Sequence, residues 1–123
     1  LKEAMKEADG FLIASPEYNS FPTPLLINAL DWASRRGAGD DVPLSAFRGK
    51  VAGLMSTSPG ALGGLRSLWS LRAMLQNIGV LVAPTLAAIG GGSEDLFADE
   101  HFADSSNGRR LHDTLTETLN LIR

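Results

Sequence analysis

The sequence has no cysteine in its 123 residues. That absence removes disulfides, thiolate nucleophiles and cysteine-ligated metal centres. Histidine is almost as scarce, with only His101 and His112 present. No apolar run is long enough to cross a bilayer. The formal net charge is −3 and the pI about 5.2, so the chain lacks the basic stripe that nucleic-acid binding needs. A Gly-x-Ser-x-Gly nucleophile elbow is missing too, which argues against a serine hydrolase of that class. Neither the Walker lysine pattern nor the dinucleotide fingerprint occurs. The first residues show no signal-peptide pattern. The expectation from these absences is a cytoplasmic protein with no membrane or nucleic-acid partner.

What is present suffices for a packed core. Hydrophobic residues make up 44% of the chain, and its length fits one domain, taken as residues 1–123. The chain opens on Leu1 rather than methionine, and Leu1, Ala4, Met5 and Ala8 stand at helical spacing. Residues 1–8 are therefore expected to be the tail of a helix entered partway, with Gly10 just past its end. Residues 11–15 form an apolar run without alternation, the pattern of a parallel strand buried on both faces.

Three prolines mark residues 16–24 as a loop. Thr23 and Pro24 then supply a hydroxyl N-cap and a proline at the first helical position. The helix they start carries Leu25, Leu26, Ala29, Leu30, Trp32 and Ala33 and ends by Gly37. A second apolar strand is expected over residues 50–57 and a helix over residues 62–78, with Gly79 closing it. Residues 80–82 and 86–89 form a third strand region interrupted at Pro84, which cannot donate to a ladder and so implies a break or a bulge there. The acidic stretch 94–104 is expected to be irregular or briefly helical. Residues 107–122 form a last helix burying Leu111, Leu115, Leu119 and Ile122. Strands alternating with helices predict a parallel sheet covered on both faces.

Ligands of open α/β sheets bind beyond the carboxyl ends of the strands. Two loops leave strand ends there. The first holds Ser15, Pro16, Glu17, Tyr18 and Asn19, and the second runs from Ser56 to Gly64 through Ser58, Pro59 and Gly60. The second opens into a helix, whose N-terminus favours negative charge or carbonyl oxygens.

These two blocks, with Asn28, Ala29, Leu30, Asp31 and Trp32 between them and Gly63 and Gly64 after them, resemble the NADPH-dependent FMN reductase family. That family includes chromate, quinone and azo-dye reductases. The resemblance spans nearly the whole chain in the family's order and approximate spacing. It implies a flavodoxin-like three-layer α/β/α fold, of which this chain holds the last three strands and lacks the first two. It also implies the ring-binding half of an FMN site, with the phosphate-gripping loop outside the chain. The cofactor-binding residues by this resemblance are Pro16, Glu17, Tyr18, Asn19, Ser58, Pro59 and Gly60.

A flavin ring needs hydrogen-bond donors near N1 and the C2 carbonyl, where the reduced ring carries negative charge, and donors in a rigid turn are already oriented for it. Asn19 is expected at the ring edge and Tyr18 beside it. The activity implied is hydride transfer from NADPH or NADH to FMN, then to a quinone, azo compound, metal oxyanion or similar small acceptor. The alternative is a non-enzymatic flavodoxin-like electron-transfer or partner-binding module. The cofactor carries the chemistry, so no catalytic acid–base side chain and no metal site is assigned.

The family also forms dimers and tetramers. Trp32 and Trp69 are accordingly expected in the core or at a subunit interface, with Asn28 and Asp31 capping or bridging there. Where the family often has glycine and lysine before the Asn-Ala-x-Asp-Trp block, this chain has Pro24 and Ile27. His101 belongs to a solvated acidic loop in this reading, and His112 is structural. The pairs Arg35–Arg36 and Arg109–Arg110 are solvated surface.

Overall fold

A computed structural model describes all 123 residues. Helix α1 (Lys2–Glu7) leads into strand β1 (Gly10–Ala14) and a short hairpin, β2 (Glu17–Tyr18) and β3 (Phe21–Pro22). Helix α2 (Pro24–Ser34), strand β4 (Val51–Ser58), helix α3 (Leu65–Asn77) and strand β5 (Leu81–Gly90) follow. The chain ends with α4 (Glu94–Ala98), a single 3-10 turn at Phe102–Asp104 and α5 (Ser106–Ile122). Strands β1, β4 and β5 form one parallel sheet in that order, so β4 is central.

The central strand shows why the layers form. Ala52 and Leu54 point into a cluster with Leu68, Leu71 and Leu75 of α3, Leu30 and Ala33 of α2, Phe47, and Met5 of α1. The intervening Gly53 faces α5, where a β-carbon would meet Thr118 Oγ1, and Leu12 Cδ2 at 3.0 Å. Period-two alternation on β4 thus sends Ala52 and Leu54 to the three-helix side and Gly53 to the close approach of α5.

Several expectations hold. Thr23 Oγ1 accepts a hydrogen bond from the Leu26 N–H at 3.3 Å, and Pro24 opens α2. Gly79 lies at φ 91° just past α3. The acidic stretch is briefly helical at α4 and at the 3-10 turn.

Other expectations need correction. Ala8, in an extended conformation, closes α1, and Gly10 is the first residue of β1. Residues 16–24 are not all loop, because the β2–β3 hairpin lies within them. Strand β1 is not buried on both faces. It is an edge strand with Leu12 54% exposed, because α5 lies over β5 and β4 and barely reaches β1.

Of the break or bulge expected at Pro84, the structure has the bulge. Pro84 sits in it within a continuous β5, where the register passes from Ala52↔Val82 to Leu54↔Leu86. On α5 the fully buried side chains are Thr114 and Thr118, whose hydroxyls donate to the carbonyls of Arg110 and Thr114. Leu111, Leu115 and Ile122 are half-buried and Leu119 is exposed. Close packing on Gly53 selects small residues for the seam and displaces the leucines to its flank. Trp32 and Trp69 are 72% and 56% exposed, so neither belongs to this chain's core. His112 is also exposed, with its ring beside Thr116 Oγ1 at 3.3 Å.

The outer edge of β5 is occupied by side chains. Along β5, Arg72 donates to the carbonyls of Ala83 and Pro84, Arg110 to that of Ala88, and Glu117 accepts from the Thr85 N–H at 2.8 Å. Side chains thereby occupy backbone groups that another strand would use.

Candidate functional site

The two loops singled out from the sequence meet at the carboxyl ends of β1 and β4. In the first, Tyr18 pairs with Phe21 across a two-residue loop, Asn19 and Ser20, at φ 52° and 68°. Positive φ at both central positions is the signature of a type I′ turn, whose twist matches its strands. Asparagine tolerates that conformation, whereas serine holds it at about 1–2 kcal/mol. The turn is therefore tight and under strain.

Glu17, one residue before it, is turned away from solvent, with its side chain 10% exposed. One carboxylate oxygen accepts from the Ser67 N–H at 3.1 Å, the other from Arg66 Nη2 at 2.9 Å. Burial alone would push the carboxyl up. The Ser67 N–H and the Arg66 guanidinium outweigh it and hold the group below the ordinary carboxylate range.

The second loop is held as firmly. Gly63 and Gly64 lie at φ 58° and 84°. A β-carbon at Gly63 would meet the Ile89 backbone nitrogen and carbonyl carbon, and one at Gly64 would meet the Ser56 side chain. The loop thus threads between the ends of β4 and β5. Thr57 Oγ1 donates to the Ile89 carbonyl at 3.0 Å, and the Gly92 N–H to the Ser58 carbonyl at 2.9 Å.

Two cavities flank Pro16. One, of about 310 Å³, is lined by Ala14, Ser15, Pro16, Met55, Ser56, Thr57, Ile89, Phe97 and Leu111. The other, of about 540 Å³, runs between the first loop and the start of α2, past Tyr18, Thr23, Leu25 and Ala29. Ser56 Oγ is buried without a hydrogen-bond partner. An unpartnered buried hydroxyl is uncommon and calls for an explanation.

The seven residues expected from the sequence are distributed unevenly over this geometry. Pro16 lines both cavities and Tyr18 the larger one. Asn19 occupies the strained turn, and the Glu17 carboxylate is spent on α3. Ser58 ends β4, with Pro59 and Gly60 exposed beyond it. Sequence reasoning missed Ser56, Thr57, Ile89, Phe97 and Leu111 as cavity lining. Of these, Ser56 and Thr57 stood within the second loop, while Ile89, Phe97 and Leu111 carried no local signal. It also missed Arg66 and Ser67, fifty residues from their partner.

Asn28, Asp31, Trp32 and Arg35 form a separate shallow hollow on the exposed face of α2. His101 and Arg109 are exposed on the acidic segment and α5.

Known proteins are similar to this chain. The family model described as NADPH-dependent FMN reductase matches residues 1–94. An NAD(P)H-dependent FMN reductase of Pseudomonas aeruginosa is 39% identical over 74 residues, which is 60% of this chain and 37% of that protein. A quinone reductase of Escherichia coli is 36% identical over 91 residues, 74% of this chain and 45% of that one. The chain thus spans less than half the length of these relatives. Among solved structures, a flavoenzyme NAD(P)H:(acceptor) oxidoreductase from Paracoccus denitrificans superposes with a TM-score of 0.70 at 22% identity, covering 99% of this chain and 63% of its own.

Proposed function

The chain belongs to the NADPH-dependent FMN reductase family and has its flavodoxin-like fold, and from that premise we propose that the protein carrying it transfers hydride from NADPH or NADH to FMN and on to a small acceptor. The quinone reductase relative makes a quinone the first acceptor to try. Azo compounds and metal oxyanions are further candidates for the same reduced flavin.

The observation that carries this reading is the convergence of the two loops on an apolar cavity at the strand ends. Met55, Ile89, Phe97 and Leu111 offer a lining suited to a flat ring system. Ser15 and Thr57 add polar groups to the same lining, while the buried Ser56 hydroxyl lies against Gly64 at the root of the second loop. The residues present therefore fit FMN. When bound, the flavin supplies the hydride chemistry. The chain's own contribution is to bind and orient. Pro16 and Tyr18 form a wall, the I′ turn presents Asn19, and the loop from Ser58 to Gly60 bounds the opposite side.

The face of α2 that bears Leu25, Trp32, Asn28, Asp31 and Arg35 is proposed as a self-association surface. Leu25 and Trp32 are 80% and 72% exposed on one helix, and Asp31 and Arg35 offer opposite charges for an isologous contact. Trp32→Glu is expected to lower the oligomeric state in light scattering. The function itself is tested by following NADPH absorbance with the flavin-loaded protein and a quinone. Bound FMN with no NADPH consumption would exclude the reductase reading.

A further inference from the structure

Glu17 stands in the expected ring-binding block, yet its carboxylate points at α3. Helices α2, α4 and α5 each begin with their own hydroxyl cap, from Thr23, Ser93 and Ser105. Helix α3 does not. Its N-cap is Gly64, which has no side chain to offer. The orphan first-turn N–H of Ser67 is met instead by Glu17 from fifty residues away. The same carboxylate belongs to the strand that feeds the strained turn at Asn19 and Ser20. One side chain thus joins the two loops of the site.

We propose that Glu17 is a positioning residue, fastening the Asn19–Ser20 turn to the first turn of α3 so that both loops form one rigid cradle for the flavin. This rests on the FMN reading above. The Arg66 partner is 59% exposed, and exposed ion pairs contribute little. The charge-assisted bond to the buried end of the helix is the stronger contact. A side chain that keeps an oxygen at the same reach should therefore keep much of the effect. Glutamine does so, and alanine does not.

The test uses the full-length protein, its Glu17→Gln and Glu17→Ala variants, and two readouts. FMN titration followed by flavin fluorescence should show about tenfold or greater weakening for Glu17→Ala, the equivalent of one lost charge-assisted bond, with Glu17→Gln in between. Amide hydrogen exchange without flavin should show faster exchange at Ser67 and at Asn19, Ser20 and Phe21 in the same order. Should Glu17→Ala fail to fold, the Gln variant decides by the same two measurements. Faster exchange at Ser67 with unchanged exchange at Asn19, Ser20 and Phe21 would overturn the proposal, as would FMN affinity equal to wild type in the folded variants. If the wild type binds no FMN, the functional reading falls, and the exchange pattern alone then upholds or refutes the link between the loops.

Discussion

Two glycines three residues apart in the second loop should respond oppositely to alanine. At Gly63 the backbone has φ 58°, a conformation that costs an L-residue about 1–2 kcal/mol. The added β-carbon would also press on the backbone of Ile89 and on the Gly90 nitrogen at 2.5 Å. Those atoms cannot retreat, because Ile89 and Gly90 pair with Thr57 and Ser58 in the central ladder. Overpacking against fixed atoms adds about 1–3 kcal/mol, so Gly63→Ala should destabilise by about 2–5 kcal/mol in all.

Gly60 lies in the same loop without a positive φ, and its β-carbon would meet only Ser58 Oγ at 3.9 Å. There the stiffer unfolded chain should dominate, for a gain of about 0.4–1 kcal/mol. Urea unfolding of both variants measures the difference, read as midpoints at constant slope. Equal midpoints would refute the claim that the loop is threaded rigidly between β4 and β5, and would make its glycines a matter of flexibility.

Ser56→Ala removes a buried hydroxyl that bonds to nothing in the protein. Stability should be unchanged or higher in calorimetry, and a clear loss would show that the hydroxyl has a partner. Asp40, 8% exposed, accepts from Lys2, from the Gly37 N–H at 2.6 Å and from Ser45 Oγ at 3.0 Å, with Lys6 at 3.2 Å. The Lys2 ammonium and then the Gly37 N–H hold its carboxyl well below the usual range. A depressed folded value means that the stabilisation is complete above the unfolded carboxyl pKa of about 4 and is lost as pH falls below it. Asp40→Asn should accordingly lower the melting temperature at pH 7 more than at pH 3.

The alternation of apolar runs with helical stripes was enough to place the three sheet strands and the three long helices, because both periodicities are local. Thr23 and Pro24 fixed the start of α2 for the same reason. The parts that escaped are set by partners distant in sequence. The β2–β3 hairpin has no Asn-Gly or Gly-Gly pair, and Ser20 accepts a left-handed conformation that its own preferences oppose. A helix starting at residue 62 begins three residues early because Gly63 and Gly64 adopt positive φ, with Gly63 bonded back to the Gly60 carbonyl, and α3 starts only at Leu65. The buried seam of α5 was assigned to leucines, since hydropathy cannot register that the surface opposite is the bare backbone of Gly53. At the candidate site, proline, tyrosine and asparagine in one short block mark a candidate ligand loop, whereas the direction of the Glu17 side chain requires the position of α3.

The exposure of Leu12 and the side chains bonded along β5 give the two outer strands of these residues different surroundings. Strand β5 carries proline, a bulge and side-chain partners on its backbone groups, all of which discourage a further strand. Strand β1 carries none of these. Its sequence, Gly-Phe-Leu-Ile-Ala, has no charge and no alternation, the composition of a strand covered on both faces. Within these residues only one face is well covered, by Met5, Leu26 and Leu30 among others. The candidate site lies toward this side of the sheet, since Ala14, Ser15 and Pro16 continue directly from β1 into both cavities. Strand β1 is thus the outermost strand among these residues on that side and the support of the first candidate loop. Leu12→Lys should therefore weaken FMN binding in a fluorescence titration through the strand that carries the loop, while Leu81→Lys on β5 should not, and equal affinities for the two variants would refute that coupling.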